Sequence, residues 1–284
     1  MINLAKRNLK MFFRDKTGVF FSLLGVLIVI ALFAFFLGDT YQESMQDVKD
    51  ADQLINSWIV AGILAITSVT TAMGAFGSMV DDKAKNITKD FYSSPIKRKS
   101  LVMGYITSSF LIGLIMTLIA FILGELYIVV KGGELLAPLA IIKSLGIITL
   151  TSLSNTAMVL FIVSFLSSST AYSTASTVVG TMIGFVTGIY VPIGNFADSI
   201  QYFIKLFPTS HGAALLRQTI MEVPMSNSFD SVPDKYVEEF KEVLGVTFKF
   251  GDSEVSQFIS VLILVASIVL FSLLSVVSLS RKKK

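Results

Sequence analysis

Residues 19–37 form an apolar run of 19 residues that contains no charged side chain. A bilayer's hydrocarbon core is about 30 Å thick, and a helix needs roughly 20 apolar residues to cross it. Five further runs of at least similar length follow, at 54–80, 101–130, 139–166, 171–193 and 258–279. A mean hydropathy of +0.74 agrees. The pattern predicts an all-α polytopic membrane protein with six spanning helices in one domain, since no low-complexity linker divides the chain.

Charge and residue usage exclude several classes of function. The net charge is +3 and basic residues flank the apolar runs, so no nucleic-acid-binding face is indicated. There is no cysteine, which excludes disulfides and thiolate metal sites. The single His211 has no histidine or carboxylate partner in a metal-binding or catalytic spacing. The phosphate-loop pattern G-x-x-x-x-G-K-[ST] is absent, so we expect no catalytic site and no bound cofactor or metal.

Basic residues predict the orientation of the spans. Lysine and arginine near helix ends are retained in the cytoplasm, and they concentrate before the first run, in the loop 81–100 and after the last run. The segment 39–53 instead carries five acidic residues against one lysine. We therefore expect both termini in the cytoplasm and the segments 39–53, 131–138 and 194–255 outside.

The N-terminal segment 1–16 has the pattern of an amphipathic helix. Apolar residues occupy one face and basic residues the other; they are Ile2, Ala5, Leu9, Phe12 and Phe13 against Lys6, Arg7, Lys10 and Arg14. Such a helix lies in the membrane interface with its basic residues toward anionic headgroups. The alternative is a plain basic flank of the first span.

The outer segment 194–255 is the one sizeable region predicted not to span. Apolar residues Ile200, Phe203, Ile204 and Phe207 recur at helical spacing opposite Asp198, Gln201 and Lys205, and Pro208 ends that helix. A second short helix is predicted over 211–221. The stretch 226–253 has the composition of an exposed insertion with a helix at 234–244, and its role is open.

Two further features carry hypotheses about packing and transport. Small residues recur every four positions at Ser176, Gly180, Gly184 and Gly188, a pattern that suits either a dimer interface or packing within one subunit. Glu125 and Lys143 are charged residues within the spans, near their outer ends, and belong either to a pathway or to a structural pair with each other. Hydroxyl side chains crowd the run 151–174, where packing is favoured over a polar route.

Three segments resemble the permease subunits of ABC-2 type exporters. Residues 3–9 (NLAKRNL), leading to Arg14-Asp15, are similar to the family's interfacial helix before the first span. The segment Ser94-Pro95-Ile96-Lys97-Arg98, followed by Met103-Gly104, is similar to the loop that contacts the ATPase subunit. The segments 191–193 (VPI), 207–210 (FPTS) and 215–217 (LLR) are similar to an outward re-entrant helical hairpin before the last span.

The resemblance implies a function and a set of partners. Residues 81–100 would be the coupling loop, with Ser94, Pro95, Lys97 and Arg98 contacting an ABC ATPase, and Pro192, Pro208 and Arg217 would belong to the hairpin. A homodimer or heterodimer of permeases would move an amphiphilic drug-like, peptide or lipid-like substrate outward across a bacterial plasma membrane, as in multidrug efflux. ATP and Mg²⁺ would bind the partner ATPase. The alternatives are a transporter for bacteriocin or antimicrobial-peptide immunity and a membrane scaffold that transports nothing.

Overall fold

The computed structural model describes residues 1–33, 35, 48–88, 98–230, 232–251 and 253–281. The described residues are predominantly helical, as predicted. The helices are α1 (Ile2–Arg14), α2 (Lys16–Leu32), α3 (Ala51–Ala84), α4 (Arg98–Val130), α5 (Pro138–Ser164), α6 (Ser169–Val186), α7 (Asp198–Leu206), α8 (Pro208–Ile220), α9 (Glu222–Ser228), α10 (Asp234–Val243) and α11 (Gln257–Arg281). Strands β1 (Lys249–Phe250) and β2 (Ser253–Glu254) pair antiparallel before α11.

Four helices are long and apolar enough to cross a membrane: α3, α4 from residue 100, α5, and α11 to residue 278. Helices α1 and α2, bent by 78° between them, together make a fifth candidate. The described residues thus contain four to five candidate spans where the sequence predicts six. Helix α6 covers part of the predicted fifth span but has only 18 residues, several of them Ser or Thr. The end of the predicted first span lies outside the described residues.

Helix α3 forms the centre of the bundle and contacts α2, α4, α5, α6, α8 and α9. Its side chains are buried on every side, including Leu54, Trp58, Ile59 and Phe76. A helix that is apolar all round becomes buried in this way, because no polar face directs it toward solvent. Small residues allow close neighbours: a Cβ at Gly62 would meet Ile189 at 3.1 Å.

The helix ends that flank segments predicted to face the same side lie at the same end of the bundle, where the structure describes them. At one end, Ser169 Oγ donates to Asp81 Oδ1 at 2.9 Å and Ser164 Oγ donates to Ser278 Oγ at 2.8 Å, joining α3, α5, α6 and α11. At the other end lie the loop after α4, the start of α5, the last turn of α8 and the helices α9 and α10. We name these the inner and outer ends, following the predicted orientation.

The segment 194–255 folds as a cap on the outer end. Its helices confirm the predicted breaks, since α7 ends at Leu206 before Pro208 and α10 matches the helix predicted at 234–244. The prediction that 226–253 is simply exposed is wrong in part. Leu244, Val246 and Phe248 are buried, because they extend the apolar cores formed by α3 and α8.

Candidate functional site

A buried acidic residue joins three helices at the inner end. Asp82 of α3 is 3% exposed. Arg7 of α1 donates to both carboxylate oxygens of Asp82, at 2.7 and 3.0 Å, and Tyr105 Oη of α4 donates to Asp82 Oδ2 at 2.6 Å. We name Arg7, Asp82 and Tyr105 the inner joint.

The inner joint changes the predicted role of α1. Asn8 Nδ2 also donates to Ser108 Oγ at 3.1 Å, so α1 packs along α4. The expectation that Arg7 faces lipid headgroups is therefore wrong, because its guanidinium is directed at the bundle. Sequence reasoning missed Asp82 and Tyr105. The available signal was an acidic pair, Asp81-Asp82, at the otherwise basic end of a span.

Of the four residues predicted to contact an ATPase, the structure describes only the last. Ser94, Pro95 and Lys97 are outside the described residues, and Arg98 is the first residue of α4. The loop leaves α3 after Ala84 and enters α4 at Arg98, so Asp82 and Tyr105 flank it on both sides. The coupling role of these four residues stays a prediction.

A chain of buried hydrogen bonds fixes the first turn of α8 in the middle of the bundle. Thr209 Oγ1 donates to Asn155 Oδ1 at 2.7 Å, and Asn155 Nδ2 donates to Ser68 Oγ at 2.6 Å. Asn155 and Ser68 each lie about 25 Å along their helices from the outer end, at a rise of 1.5 Å per residue. We name this series of hydrogen bonds, from Thr209 through Asn155 to Ser68, the middle chain. It shows that Asn155 serves packing, the alternative favoured for this polar run.

A fully buried arginine occupies the outer half of the bundle. Arg217 is 0% exposed. Its Nη2 donates to Thr187 O at 2.9 Å, its Nη1 donates to Gly245 O at 3.3 Å, and its Cζ lies 5.0 Å from the Trp58 ring centroid. Trp58 Nε1 in turn donates to Leu244 O at 2.8 Å. We name Arg217, Trp58, Thr187 and Gly245 the outer clamp.

The outer clamp shows why a cation is tolerated at this position. Thr187 follows the last residue of α6, so its carbonyl belongs to the negative end of a helix dipole. The face of an indole ring also attracts a cation. In the part of the chain that the structure describes, no carboxylate forms an ion pair with Arg217.

Pro192, Pro208 and Arg217, the residues assigned to the hairpin, lie before or within the helix pair α7 and α8. Pro208 is the first residue of α8, where its missing N–H costs no helical hydrogen bond. Nearly every residue of α8 is buried, between α3, α5 and α11. Pro192 is buried just before the 3₁₀ turn Ile193–Asn195. Whether α7 and α8 re-enter a membrane stays a prediction.

The structure divides the row of small residues into two parts. A side chain at Gly184 would meet the Tyr190 ring, and Gly188 has φ +71°, so both serve packing and turning within the subunit. Ser176 and Gly180 are half-buried. Gly180 borders a cleft of about 360 Å³ between α2, α3 and α6 that Gly25 also lines. The dimer interface stays a prediction for this row.

The charges within the spans do not pair with each other. Glu125 Oε2 accepts from Leu136 N at 3.2 Å, and its Oε1 is buried without a partner among the described residues. Lys143 Nζ lies 3.9 Å from Glu222 Oε2. The suggested Glu125–Lys143 pair is therefore wrong. Lys143 and Glu222 line both outer cavities, of about 660 and 480 Å³.

The exposed faces of α6 and α11 differ in chemistry. The exposed face of α6 combines hydroxyl and apolar side chains: Ser173, Thr174, Thr177, Val178, Thr181 and Met182. Each threonine donates to the carbonyl four residues earlier, at 2.8 to 3.1 Å. After Gln257 at its start, the exposed large residues described on α11 are apolar, among them Leu262, Val265, Val269 and Leu273. Of the two helices, α11 has the surface typical of lipid contact.

Among the described residues no group of His, Cys, Asp or Glu could hold a metal ion.

Comparisons with known proteins identify the family. A search of curated proteins gave no match. The family model described as ABC-2 family transporter protein matches residues 41–277, which is most of the chain. The chain therefore belongs to the ABC-2 family of transporter proteins, whose members form the transmembrane component of ABC transporters and lack the ATPase site.

Proposed function

We propose that this chain is the permease subunit of an ABC exporter that moves an amphiphilic substrate outward. The observation that carries the proposal is the mixed hydroxyl and apolar face of α6. Serine and threonine are enriched where membrane helices meet one another, and a pathway for a molecule with polar and apolar parts needs both kinds of surface. The substrate class is accordingly drug-like, peptide or lipid-like.

A second permease, identical or related, would face α6 and complete the pathway. The cleft between α2, α3 and α6 opens beside the same helix, and Gly25 and Gly180 leave space there for a partner or a substrate. Ser176 and Gly180 would then belong to the interface, while Gly184 and Gly188 support it from within.

The proposal includes six crossings and a re-entrant hairpin. Helix α6 has 18 residues, about 27 Å at 1.5 Å per residue, which nearly matches the hydrocarbon thickness. The backbone carbonyl of Thr187, the residue after α6, accepts a hydrogen bond from Arg217 of α8. Because this carbonyl is satisfied inside the protein, α6 can end at this point without a further turn that would reach water. Helix α8 begins at the middle chain and runs outward, which is the course of a hairpin that enters and leaves by the same side.

The energy source would be a separate ATPase that binds ATP and Mg²⁺. Its contact would be the loop that joins α3, which carries Asp82, to α4, which carries Tyr105. Force applied there reaches α1, α3 and α4 together, because Arg7, Asp82 and Tyr105 tie these helices to one carboxylate.

Transport by purified components tests the proposal. The chain, purified in mild detergent with its ATPase, is placed in proteoliposomes and given a fluorescent amphiphile with ATP from the cytoplasmic face. We expect ATP-dependent accumulation, reduced several-fold by Thr177→Leu with Thr181→Leu. The matched control is Val265→Leu with Val269→Leu on the apolar face of α11, which should leave transport unchanged.

The outcomes separate the alternatives. Movement of a bacteriocin-like peptide, but of no drug-like amphiphile, would favour an immunity transporter. If no ATPase copurifies and no probe moves, the exporter proposal is wrong and a membrane scaffold remains. Equal loss of transport in the α6 and α11 variants would contradict the proposal that the hydroxyl and apolar face of α6 lines the pathway.

A further inference from the structure

We propose that the outer end of the bundle carries a binding site for an amphiphile with a protonated amine. The site is the cavity of about 480 Å³ between the start of α3, the loop after α4, the start of α5, the end of α8 and α9. We name this cavity the outer pocket. The inference rests on the proposed function in taking the ligand to be an amphiphile, and it adds the charge of that ligand.

One part of the lining of the outer pocket is apolar. It is formed by Ile128, Leu135, Leu136, Leu139, Ile220 and Val223. Three of these side chains, Leu135, Leu139 and Val223, are at least half exposed. Cavities of this volume that combine apolar side chains with a few polar groups are typical sites for drug-sized molecules. The outer pocket therefore suits the apolar part of an amphiphile.

The charged side chains that line the outer pocket are mostly acidic. They are Asp50, Glu134 and Glu222 against Lys143. Lys143 Nζ lies 3.9 Å from Glu222 Oε2. Asp50 and Glu134 form no ion pair in the part of the chain that the structure describes. The outer pocket thus has an excess of negative charge that a cationic ligand would balance.

The neighbouring cavity of about 660 Å³ has the same sign of charge. It shares Lys143 and Glu222 with the outer pocket. The other charged residues of its lining are Asp230, Asp234, Glu254, Lys241 and Arg217, the last of which is held by the outer clamp. Clefts lined by one sign of charge raise the local concentration of the opposite ion. Both cavities therefore attract cations to this end of the bundle.

A buried carboxylate with an unsatisfied oxygen lies against the lining of the outer pocket. Glu125 is 7% exposed and precedes Ile128 by about one turn of α4. Its Oε2 accepts from Leu136 N at 3.2 Å, so the carboxylate is directed at the wall that Ile128 and Leu136 form. Its Oε1 is buried without a partner among the described residues. A buried carboxylate oxygen without a donor is unfavourable, and an ammonium group would supply the donor.

The chemistry of these groups selects a protonated amine over other ligands. Carboxylates repel an anion. The described residues contain no group of His, Cys, Asp or Glu that could hold a metal ion. A quaternary ammonium has the charge but no N–H to donate to Glu125 Oε1. An amine on an apolar body supplies the charge, the donors and the surface for the apolar wall.

Lys143 is an internal cation that competes for the same carboxylates. Its side chain is half-exposed, and its Nζ is too far from Glu222 Oε2 for a direct hydrogen bond, so the pair is weak. An arriving amine can therefore replace Lys143 beside Glu222. Removing the charge of Lys143 should strengthen binding, whereas removing that of Glu222 should weaken it. A purely structural ion pair would not give opposite signs.

Binding of a fluorescent amine to the full chain, without ATPase or ATP, tests the inference. The probe is dansylcadaverine, and its N-acetylated form has the same apolar body without the charge. Fluorescence anisotropy is measured with the protein in phosphatidylcholine nanodiscs. We expect the amine to bind several-fold more tightly than the acetylated probe. Glu125→Gln and Glu222→Gln should each weaken binding of the amine several-fold, and Lys143→Gln should strengthen it several-fold.

The controls separate this site from charge in general. None of the three substitutions should change binding of the acetylated probe. Glu239→Gln removes one negative charge from the exposed face of α10, outside the outer pocket, and should leave binding of the amine unchanged. If Glu125→Gln misfolds, seen as loss of a monodisperse elution peak, the opposite signs of Glu222→Gln and Lys143→Gln still decide the result.

Two outcomes would overturn the inference. One is equal affinity for the amine and the acetylated probe. The other is a weakening by Lys143→Gln as large as that by Glu222→Gln. Transport of both probes in proteoliposomes is measured separately: binding of the amine without ATP-dependent transport of either probe would contradict the exporter proposal alone. Transport of both probes with no preferential binding of the amine would contradict the outer pocket alone.

Discussion

The inner joint and the outer clamp both bury a charge in an apolar bundle, but they stabilise it differently. Asp82 is neutralised by Arg7, whose side chain is still 32% exposed and belongs to a peripheral helix. Arg217 is wholly buried and is held by two carbonyls and an indole ring. An ion pair with one partner near water can separate and rehydrate, whereas a cation fixed by a helix end and a turn cannot leave without unfolding them. We therefore predict that the ion pair between Arg7 and Asp82 at the inner end can separate, whereas the hydrogen bonds of Arg217 at the outer end stay formed as long as the protein is folded.

The largest effect is expected at the outer clamp. Arg217→Met should lower the free energy of unfolding by about 3–5 kcal/mol, because it leaves two buried carbonyls without donors. Arg217→Lys keeps the positive charge but not the planar guanidinium group with its several donors, so it should lower the free energy of unfolding by less than Arg217→Met does. Thermal unfolding of the purified protein measures both. Trp58 is the single tryptophan of the chain, and its emission should shift in Arg217→Met. Unchanged stability in Arg217→Met would contradict a permanent clamp.

A smaller loss is expected at the inner joint. Asp82→Asn should cost about 1–3 kcal/mol, since it weakens charge-assisted hydrogen bonds while Arg7 can turn to solvent. A double-mutant cycle with Arg7→Gln measures the coupling. The control is Asp81→Asn, because Asp81 is exposed and bonds Ser169. A loss as large as that of Arg217→Met would remove the contrast between the two ends.

The third-largest loss of stability is expected when the middle chain is interrupted. Thr209→Val removes one neutral hydrogen bond at nearly constant volume, and such bonds between membrane helices contribute about 0.6–1 kcal/mol. Thr219→Val in the same helix is the matched control, because its hydroxyl bonds the carbonyl of Leu215 within α8. Equal melting temperatures for Thr209→Val and the wild type would show that the middle chain does not hold α8.

The smallest effect is expected for the exposed pair at the outer surface. Lys143 and Glu222 are half-exposed or more and 3.9 Å apart, so Lys143→Met should change stability by at most about 0.5 kcal/mol. Melting curves at low and high salt check this. A loss above that of Thr209→Val would mean that the ion pair, and not only the outer clamp, fastens the cap to the bundle.

Local features of the fold were predictable because they depend on neighbours in sequence. The runs 101–130, 139–166 and 258–279 correspond to α4, α5 and α11, and the break at Pro208 separates α7 from α8. Backbone groups in an apolar medium must bond within their own segment, so apolar length specifies a helix without reference to the rest of the chain. The fifth run was harder, because its hydroxyls and the turn at Gly188 shorten α6.

The choice of partners was decided by the tertiary structure alone. Arg7 and Asp82 are 75 residues apart, and Arg217 reaches carbonyls 30 and 28 residues away. No periodicity encodes such pairs. The inward turn of Lys205 likewise contradicts its local pattern and depends on Glu242 and Lys249 folding over it. Local apolar patterning was enough to specify which segments become helices, since that follows from hydrogen bonding within each segment, whereas the partners of the buried charges were specified only by how the helices pack together.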